Sequence, residues 1–393
     1  MIYCNAVAMI SALGCTLEES VMALSLGHAT GMHESTKWLK EGKPTWVGGV
    51  EIDLPDLPDY LRVHNSRNNR LLLAALVSIR GQIDAVIERF GSERVGVILG
   101  TSTSGLDETS YLVHALHHQQ TVESYFYQRQ ELGDTAAVVA KLLNLKGPCY
   151  TISTACSSGA RSMISAAKLI ESGVIDAAIV GGADTLNTMA LNGFDSLEVL
   201  SQQHCTPFAL GRDGINIGEG AALLLLTREK NEGDKHPVAL LGYGESSDAW
   251  HMSAPHPEGE GAKMALIQAM KMAQLKPADI GYIHLHGTAT PMNDSVEAQV
   301  VHDLFGHQTP CSSTKHLTGH TLGAAGCVGA AISHLLLTQE LLLPPQNFAE
   351  REIDPQLPEF GLLKTAQPLG KRAIISNAFA FGGNNSSLIL GNV

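Results

Sequence analysis

The chain has 393 residues, enough for two domains or one large duplicated fold, and a composition 44% hydrophobic and 17% charged with 39 glycines excludes disorder as its main state. Lys and Arg number 26 against 39 Asp and Glu, a formal charge of −13, so no global positive field exists to hold a nucleic-acid backbone or an anionic membrane. The seven cysteines (4, 15, 149, 156, 205, 311 and 327) are odd in number, scattered and free of any C-x-x-C, which excludes a disulfide framework or a structural zinc site and fits a reducing cytoplasm.

The apolar stretch from Met1 to Leu17 ends near Ala12-Leu13-Gly14-Cys15, a pattern like a lipoprotein cleavage site, but no Lys or Arg occurs before Lys37 to supply the positive region of a signal peptide. A strand over Ile2–Ile10, then Thr16 and Glu19 as a capping box opening a short helix, accounts for the same residues. No apolar run reaches the roughly 18–20 residues that cross a bilayer. Beyond this segment, strand-like runs alternate with helical patterns: Val95–Gly100, Cys149–Ser153, Ala177–Gly182 and Ala221–Thr227, then Val238–Gly242, Ile280–His286 and Ala373–Ser376. The alternation predicts an α/β fold with buried sheets. The charged stretch Thr227–Pro237 is the expected boundary, giving an N-terminal half of residues 1–232 and a C-terminal half of residues 233–393.

Two internal parallels point to duplication. Gly218-Glu-Gly-Ala-Ala-Leu-Leu-Leu closes the first half as Gly383-Asn-Asn-Ser-Ser-Leu-Ile-Leu closes the second, and each half carries a helix crowded with small residues, Ala155–Ile170 and Gly323–Leu336. Such helices can approach closely, which suits a central layer between two sheets.

Cys156 lies where a strand turns into the first of these helices, so it is expected in the first helical turn, where orphan N–H groups and the helix dipole favour a thiolate and offer an oxyanion site. The alternative is a small buried hydrophobe, the commoner fate of a free cysteine. Strand exit places His286 where catalytic groups of α/β folds gather. His284 and His286 share a face if the strand's period of two continues, but an H-x-H metal pair needs a third ligand and none is evident nearby, so no metal is expected. Lys315 and His320 precede the second small-residue helix. A cysteine with two imidazoles suits acyl transfer, one ring polarising a thioester carbonyl and the other stabilising an enolate. The segment Ser376–Asn385, with Phe379, Phe381 and paired glycines, is a hinge with an aromatic gate or a tight turn with buried rings. Neither a dinucleotide fingerprint nor a Walker lysine motif occurs.

Together these residues resemble the β-ketoacyl-acyl-carrier-protein synthases, condensing enzymes of the thiolase superfamily. The resemblance spans the chain: Thr154-Ala-Cys-Ser-Ser-Gly159, Gly181-Gly182-Ala183, Arg212-Asp213-Gly214, Gly218-Glu-Gly-Ala221, Gly242-Tyr-Gly244 with Ser247-Asp248, His286-Gly-Thr-Ala-Thr290, Asp294-x-x-Glu297, Lys315, Gly319-His320-Thr-Leu-Gly-Ala-Ala-Gly326 and Asn377 to Gly383. It implies a thiolase-like fold of two duplicated halves in an α-β-α-β-α arrangement. It also implies that Cys156 accepts the acyl chain, with its own N–H and that of Phe381 as oxyanion hole. His286 and His320 would act in decarboxylation of malonyl-carrier protein, and Lys315 would hold the electrostatics around His320. Thr288 and Thr290 would contact the phosphopantetheine arm; Phe381, beside Phe379, would gate, Phe194 would wall the channel, and Glu297 would be a structural or ion-binding carboxylate. No bound cofactor is implied, the substrates riding on the phosphopantetheine of an acyl carrier protein.

Three departures from the family pattern stand out, all expected to border the acyl or pantetheine channels: Ile215-Asn216 where Phe-Val is usual, Met292-Asn293 where a Gly usually precedes Asp294, and His284 where a small or polar residue is usual. They leave fatty acid elongation and a specialised polyketide or aryl polyene chain both open. The expected partners are an acidic carrier protein, drawn to a local basic cluster of Arg62, Arg67 and Arg70, and a second subunit, either a copy of this chain or a chain-length-factor homologue. A non-catalytic chain-length subunit typically lacks the cysteine present here. A degradative thiolase carries a second reactive cysteine late in the chain, and Cys327 lies inside a small-residue helix instead. A cysteine-dependent acyl hydrolase or transferase is the remaining alternative.

Overall fold

The computed structural model describes residues 1–122 and 125–393. Ten strands follow one continuous hydrogen-bonded order that divides into two five-stranded sheets: β1 (Ile2–Ser11), β2 (Val95–Gly100), β3 (Cys149–Ile152), β4 (Ala177–Asp184) and β5 (Gly220–Thr227), then β6 (Val238–Ser247), β7 (Tyr282–His284), β8 (Cys311–Ser312), β9 (Ala373–Phe379) and β10 (Asn384–Asn392). Their spatial order is β8-β7-β9-β10-β6-β1-β5-β4-β2-β3. The two groups of five meet only where Ile2 and Tyr3 pair with Leu240 and Ala239. Within each group the first, fifth and fourth strands in chain order run antiparallel to one another and the second and third join parallel, so both halves have the order 1-5-4-2-3.

Continuous apolar runs form these strands because both sheet faces are covered. In β5, Ala222, Leu224 and Leu226 face the core between the sheets while Ala221, Leu223 and Leu225 face the outer core of the first half. In β10, Leu388 and Leu390 face inward and Ile389 outward. Each of these leucines and the isoleucine contributes about 1.5–3 kcal/mol on burial. The outer layers are α1 (Arg67–Ser78) and α2 (Asp134–Leu142) on the first half, with α4 (Glu260–Ala273) on the second. Between the sheets lie α3 (Ser158–Glu171) and α6 (Ala325–Thr338), and α5 (Pro291–Phe305) packs beside α4. This is the thiolase-like α-β-α-β-α arrangement.

Glycine permits the central contact. A Cβ on Gly159 would lie 2.9 Å from the Cys327 backbone nitrogen, and one on Gly326 would lie 2.7 Å from the Ala160 nitrogen. The two helices therefore touch backbone to backbone at their first turns, which brings the segments just before them face to face. The capping box at Thr16 and Glu19 is present, and among the described residues no helix is long and apolar enough to cross a membrane.

Candidate functional site

Cys156 sits slightly earlier than expected: α3 begins at Ser158, so the cysteine occupies the turn ahead of the helix rather than its first turn. Ala155 adopts φ +52°, and the Ser158 N–H closes the turn on the Ala155 carbonyl at 3.0 Å. Hydroxyls lock it: the Thr154 N–H donates to Ser158 Oγ at 2.9 Å, and Ser157 Oγ donates to the Thr154 carbonyl at 2.8 Å. The backbone strain holds one geometry, with the buried sulfur pointing at the second half.

From that half comes His320, whose Nε2 lies 3.0 Å from Cys156 Sγ. Its Nδ1 accepts the Leu322 N–H at 3.1 Å, which assigns the ring proton to Nε2 and makes His320 a donor toward the sulfur. The His320 N–H in turn donates to the Asn216 carbonyl at 2.6 Å, so the segment that departs from the family pattern at Ile215-Asn216 borders the imidazole's backbone. The His286 ring stands edge-on to His320 at 5.4 Å between centroids, and a ring nitrogen of each lies with the Cys156 sulfur inside a span of 4.8 Å. Burial and the Lys315 ammonium hold both imidazoles well below their ordinary pKa, so both are neutral. Burial also pushes the Cys156 thiol up to about 11, offset by the N–H groups of Phe381 and of Cys156 itself and by the Lys315 charge. The thiolate-favouring helix start expected from the sequence is thus outweighed by desolvation, and the resting group is a thiol.

Lys315 acts on the electrostatics of His320, as expected, and also makes a direct contact with the backbone of His286. Its ammonium donates to the His286 carbonyl, while His320 is fixed by Asn216 and Leu322. Glu297 is a buried clamp that accepts N–H groups from His286 at 2.8 Å and Gly287 at 2.7 Å, and the Asn377 amide at 3.2 Å. One clamping residue escaped the sequence: Asp184 accepts from the N–H groups of Ser102, Thr103 and Ala324. Asn377, which opens the last motif of the resemblance, is held by Ser387 Oγ at 2.9 Å. An Asp closing an apolar strand carries no signal of such a role beyond its burial cost.

Cys156 opens on an apolar cavity of about 320 Å³ walled by Leu106, Met189, Phe194, Leu322 and Phe381, with the Phe194 and Phe381 rings 5.9 Å apart. On the other side of Phe381 and Phe379 a second cavity of about 200 Å³ is lined by Thr290, Met292 and Asn293. Thr288 is buried and meets Thr290 hydroxyl to hydroxyl at 2.9 Å. Phe379 lies 6.3 Å from the His286 ring. A larger recess of about 590 Å³, against Arg89, Phe90 and Glu229, holds no cysteine or histidine.

The period of two holds beyond β7: Ile283 and Leu285 both face the outer core and the Leu285 N–H bonds the Ser312 carbonyl, while His284 points inward, with Nε2 2.9 Å from Thr314 Oγ1. One expectation fails: Arg67 and Arg70 do not offer free charge. Arg67 forms a forked pair with Glu219 at 2.6 and 2.8 Å, and Arg70 is spent on the Leu54 carbonyl and Asp56. Arg62 remains exposed, and its carbonyl accepts from Arg129, whose guanidinium lies over Phe126 at 4.9 Å.

A strained cysteine turn, two neutral imidazoles and an apolar cavity on a thiolase-like scaffold define an acyl-transfer enzyme. Comparison with known proteins narrows this. The β-ketoacyl synthase N-terminal domain matches residues 68–232 and the β-ketoacyl synthase C-terminal domain residues 238–349. The chain is 32% identical to 3-oxoacyl-[acyl-carrier-protein] synthase 2 of Vibrio harveyi over 97% of its own length and 96% of that protein's. It superposes with TM-score 0.97 and 56% identity on a chain of the ketosynthase (ApeO) in complex with its chain length factor (ApeC) from Xenorhabdus doucetiae, covering 100% of this chain and 98% of that one. The ishigamide ketosynthase/chain length factor gives TM-score 0.87 and 26% identity, covering 99% and 98%. The chain belongs to the β-ketoacyl synthase family, as a β-ketoacyl-acyl-carrier-protein synthase.

Proposed function

We propose that the chain extends an acyl group held on Cys156 by two carbons from malonyl-carrier protein, and that it does so on a specialised polyketide or aryl polyene chain, in the cytoplasm, beside a chain-length-factor subunit. The observation that carries the chemistry is the Cys156 sulfur, set between the His320 Nε2–H and the N–H groups of Phe381 and Cys156 at the end of an apolar cavity. The sulfur attacks an acyl thioester whose carbonyl oxygen sits in that pair of N–H groups; its proton passes to the departing pantetheine sulfur, and the acyl chain enters the cavity. Malonyl thioester then reaches Cys156 along the Thr290 side. Its C–CO₂ bond breaks, CO₂ leaves, and the electron pair becomes an enolate whose oxygen the neutral imidazoles bind by N–H donation. The enolate carbon attacks the acyl-Cys156 carbonyl, the C–S bond breaks, the released thiolate takes one proton from solvent water, and a β-ketoacyl thioester departs on the carrier.

No redox cofactor enters this balance, and carrier phosphopantetheine supplies the only arm. The likeness to a chain of a ketosynthase and chain-length-factor complex supports the two-subunit assembly, and the aromatic walls Phe194 and Phe381 support a conjugated acyl chain. For the carrier, Arg62 with neighbouring Arg129 replaces the cluster expected at Arg67 and Arg70. The test mixes the protein, with and without a chain-length-factor partner, with acyl- and malonyl-carrier proteins of aryl-conjugated or saturated chains, and reads intact masses. A two-carbon β-keto product with faster turnover of conjugated starters is expected. An acyl adduct that is only hydrolysed would replace condensation by hydrolase chemistry, and preference for saturated starters would return the chain to fatty acid elongation.

A further inference from the structure

His284 is buried, lies outside the acyl and pantetheine cavities, and has no part in the chemistry above. Its Nε2 meets Thr314 Oγ1 at 2.9 Å, while its Nδ1 is buried without a partner. Leaving such a nitrogen unpaired costs about 1–3 kcal/mol, so its retention asks for a reason. Space for the ring is provided by α6 at Gly329, where a Cβ would lie 3.0 Å from Nδ1.

The reason lies in what Thr314 is joined to. Segments 284–287 and 312–315 are laced together by four contacts. The Leu285 N–H donates to the Ser312 carbonyl at 2.9 Å, Ser313 Oγ donates to the Gly287 carbonyl at 2.7 Å, and the Lys315 ammonium donates to the His286 carbonyl. The fourth is His284 with Thr314, the only one made by side chains on both segments. Thr314 also begins the short helix Lys315–Thr318, its carbonyl accepting the Leu317 N–H at 2.8 Å and the Thr318 N–H at 3.1 Å. Moving Thr314 therefore moves the base of the Lys315 side chain, and with it the cation on the His286 carbonyl.

We propose that His284 is a positioning residue, which through Thr314 sets Lys315 on the His286 carbonyl and so holds His286 for the decarboxylating half of the reaction. This rests on the assignment of His286 to malonyl activation. It separates the two half-reactions: acyl loading depends on Cys156, its turn and the backbone N–H groups, none of which His284 contacts, whereas malonyl decarboxylation depends on His286.

The test measures both half-reactions on the full chain for His284→Asn, Thr314→Val, Thr314→Ser and the double variant His284→Asn/Thr314→Val. Expected are a fall of about tenfold in kcat for malonyl-carrier decarboxylation in His284→Asn and in Thr314→Val, near-normal rates in Thr314→Ser, and no further loss in the double variant. Loading of Cys156, read by intact mass, stays within twofold throughout, which also reports that each variant is folded. Equal losses in loading and decarboxylation, or additive losses in the double variant, would overturn the assignment. If the His286→Ala variant decarboxylates malonyl-carrier protein at the parent rate, the functional premise fails instead, and the two failures are told apart.

Discussion

The two halves of the molecule share one strand order and differ in what they hang on it. In each, the third strand lies at the sheet edge and leads into a central helix. The first half makes that link in five residues (153–157), a strained turn that aims Cys156; the second takes twelve (313–324) and places Lys315 and His320 on the way. Between the fourth and fifth strands the contrast reverses. The first half inserts residues 185–219, whose helix Thr188–Ser196 walls the acyl cavity, whereas the second uses only residues 380–383 and presents the Phe381 N–H. Each half also clamps a loop with one buried carboxyl group, Asp184 or Glu297. Shared topology thus sets where reactive groups gather, while link length decides which group each half supplies.

Removing the group that each half contributes at the equivalent link has the largest effect. Cys156→Ala abolishes both loading and condensation, since nothing else carries the acyl chain. His320→Ala leaves the sulfur and both oxyanion N–H groups in place, so an acyl adduct still forms by intact mass, while condensation falls by about 10²–10³-fold, the usual cost of one transition-state donor. Equal and complete loss of loading in both variants would mean that the second half activates the nucleophile rather than only stabilising the enolate.

What the sequence makes legible follows the same division. Strands buried on both faces announce themselves by unbroken apolar runs such as Ala221–Thr227, and the small-residue helices by composition, so the layers are readable before any coordinates. Cys156, His286 and His320 are readable because each sits at the end of such a run. Partnerships are not readable. Period two places His284 and His286 on one face, but only the packed chain shows that His284 is spent on Thr314, 30 residues away. Arg67 looked like free charge because Glu219, its partner, lies 152 residues away. The thiolate expected of Cys156 depended on the helix start, whereas its pKa is set first by burial, a property of the whole packed assembly.

Weakening the two clamps in turn has a milder effect. Glu297→Gln keeps one acceptor and turns an amide toward the other backbone donor, costing about 1–3 kcal/mol of stability. Burial raises the Glu297 carboxyl to about 7, against an ordinary value of 4.5. A raised acid binds its proton more tightly when folded, so its contribution to stability is full below about 4.5 and is lost as pH rises through about 7. Glutamine has no such titration, so the gap in Tm between the parent and Glu297→Gln narrows from pH 5 to pH 8; a gap independent of pH would discard this account. Asp184→Asn, also raised by burial, costs similar stability but disturbs the Ser102–Thr103 loop and the Ala324 N–H, so it lowers acyl loading where Glu297→Gln lowers decarboxylation.

The smallest effects belong to the arginines of the first half, and they separate a tie within that half from a surface that serves both reactions. Arg67→Ala removes the forked partner of buried Glu219, which keeps only the Val50 and Leu186 N–H groups, so it lowers Tm. Breaking a fully buried pair costs about 3–5 kcal/mol, and with the Arg67 side chain 33% exposed the loss here is smaller. Arg62→Glu instead leaves Tm in place and raises KM several-fold for acyl- and malonyl-carrier proteins alike, if the proposed carrier surface presents both thioesters to a site assembled from two halves. That rise shrinks as salt is added, since exposed charges are screened beyond about 10 Å at 0.1 M. An increase for only one of the two carriers would mean that loading and extension use different surfaces, and the symmetry of the sheet would then extend to docking as well.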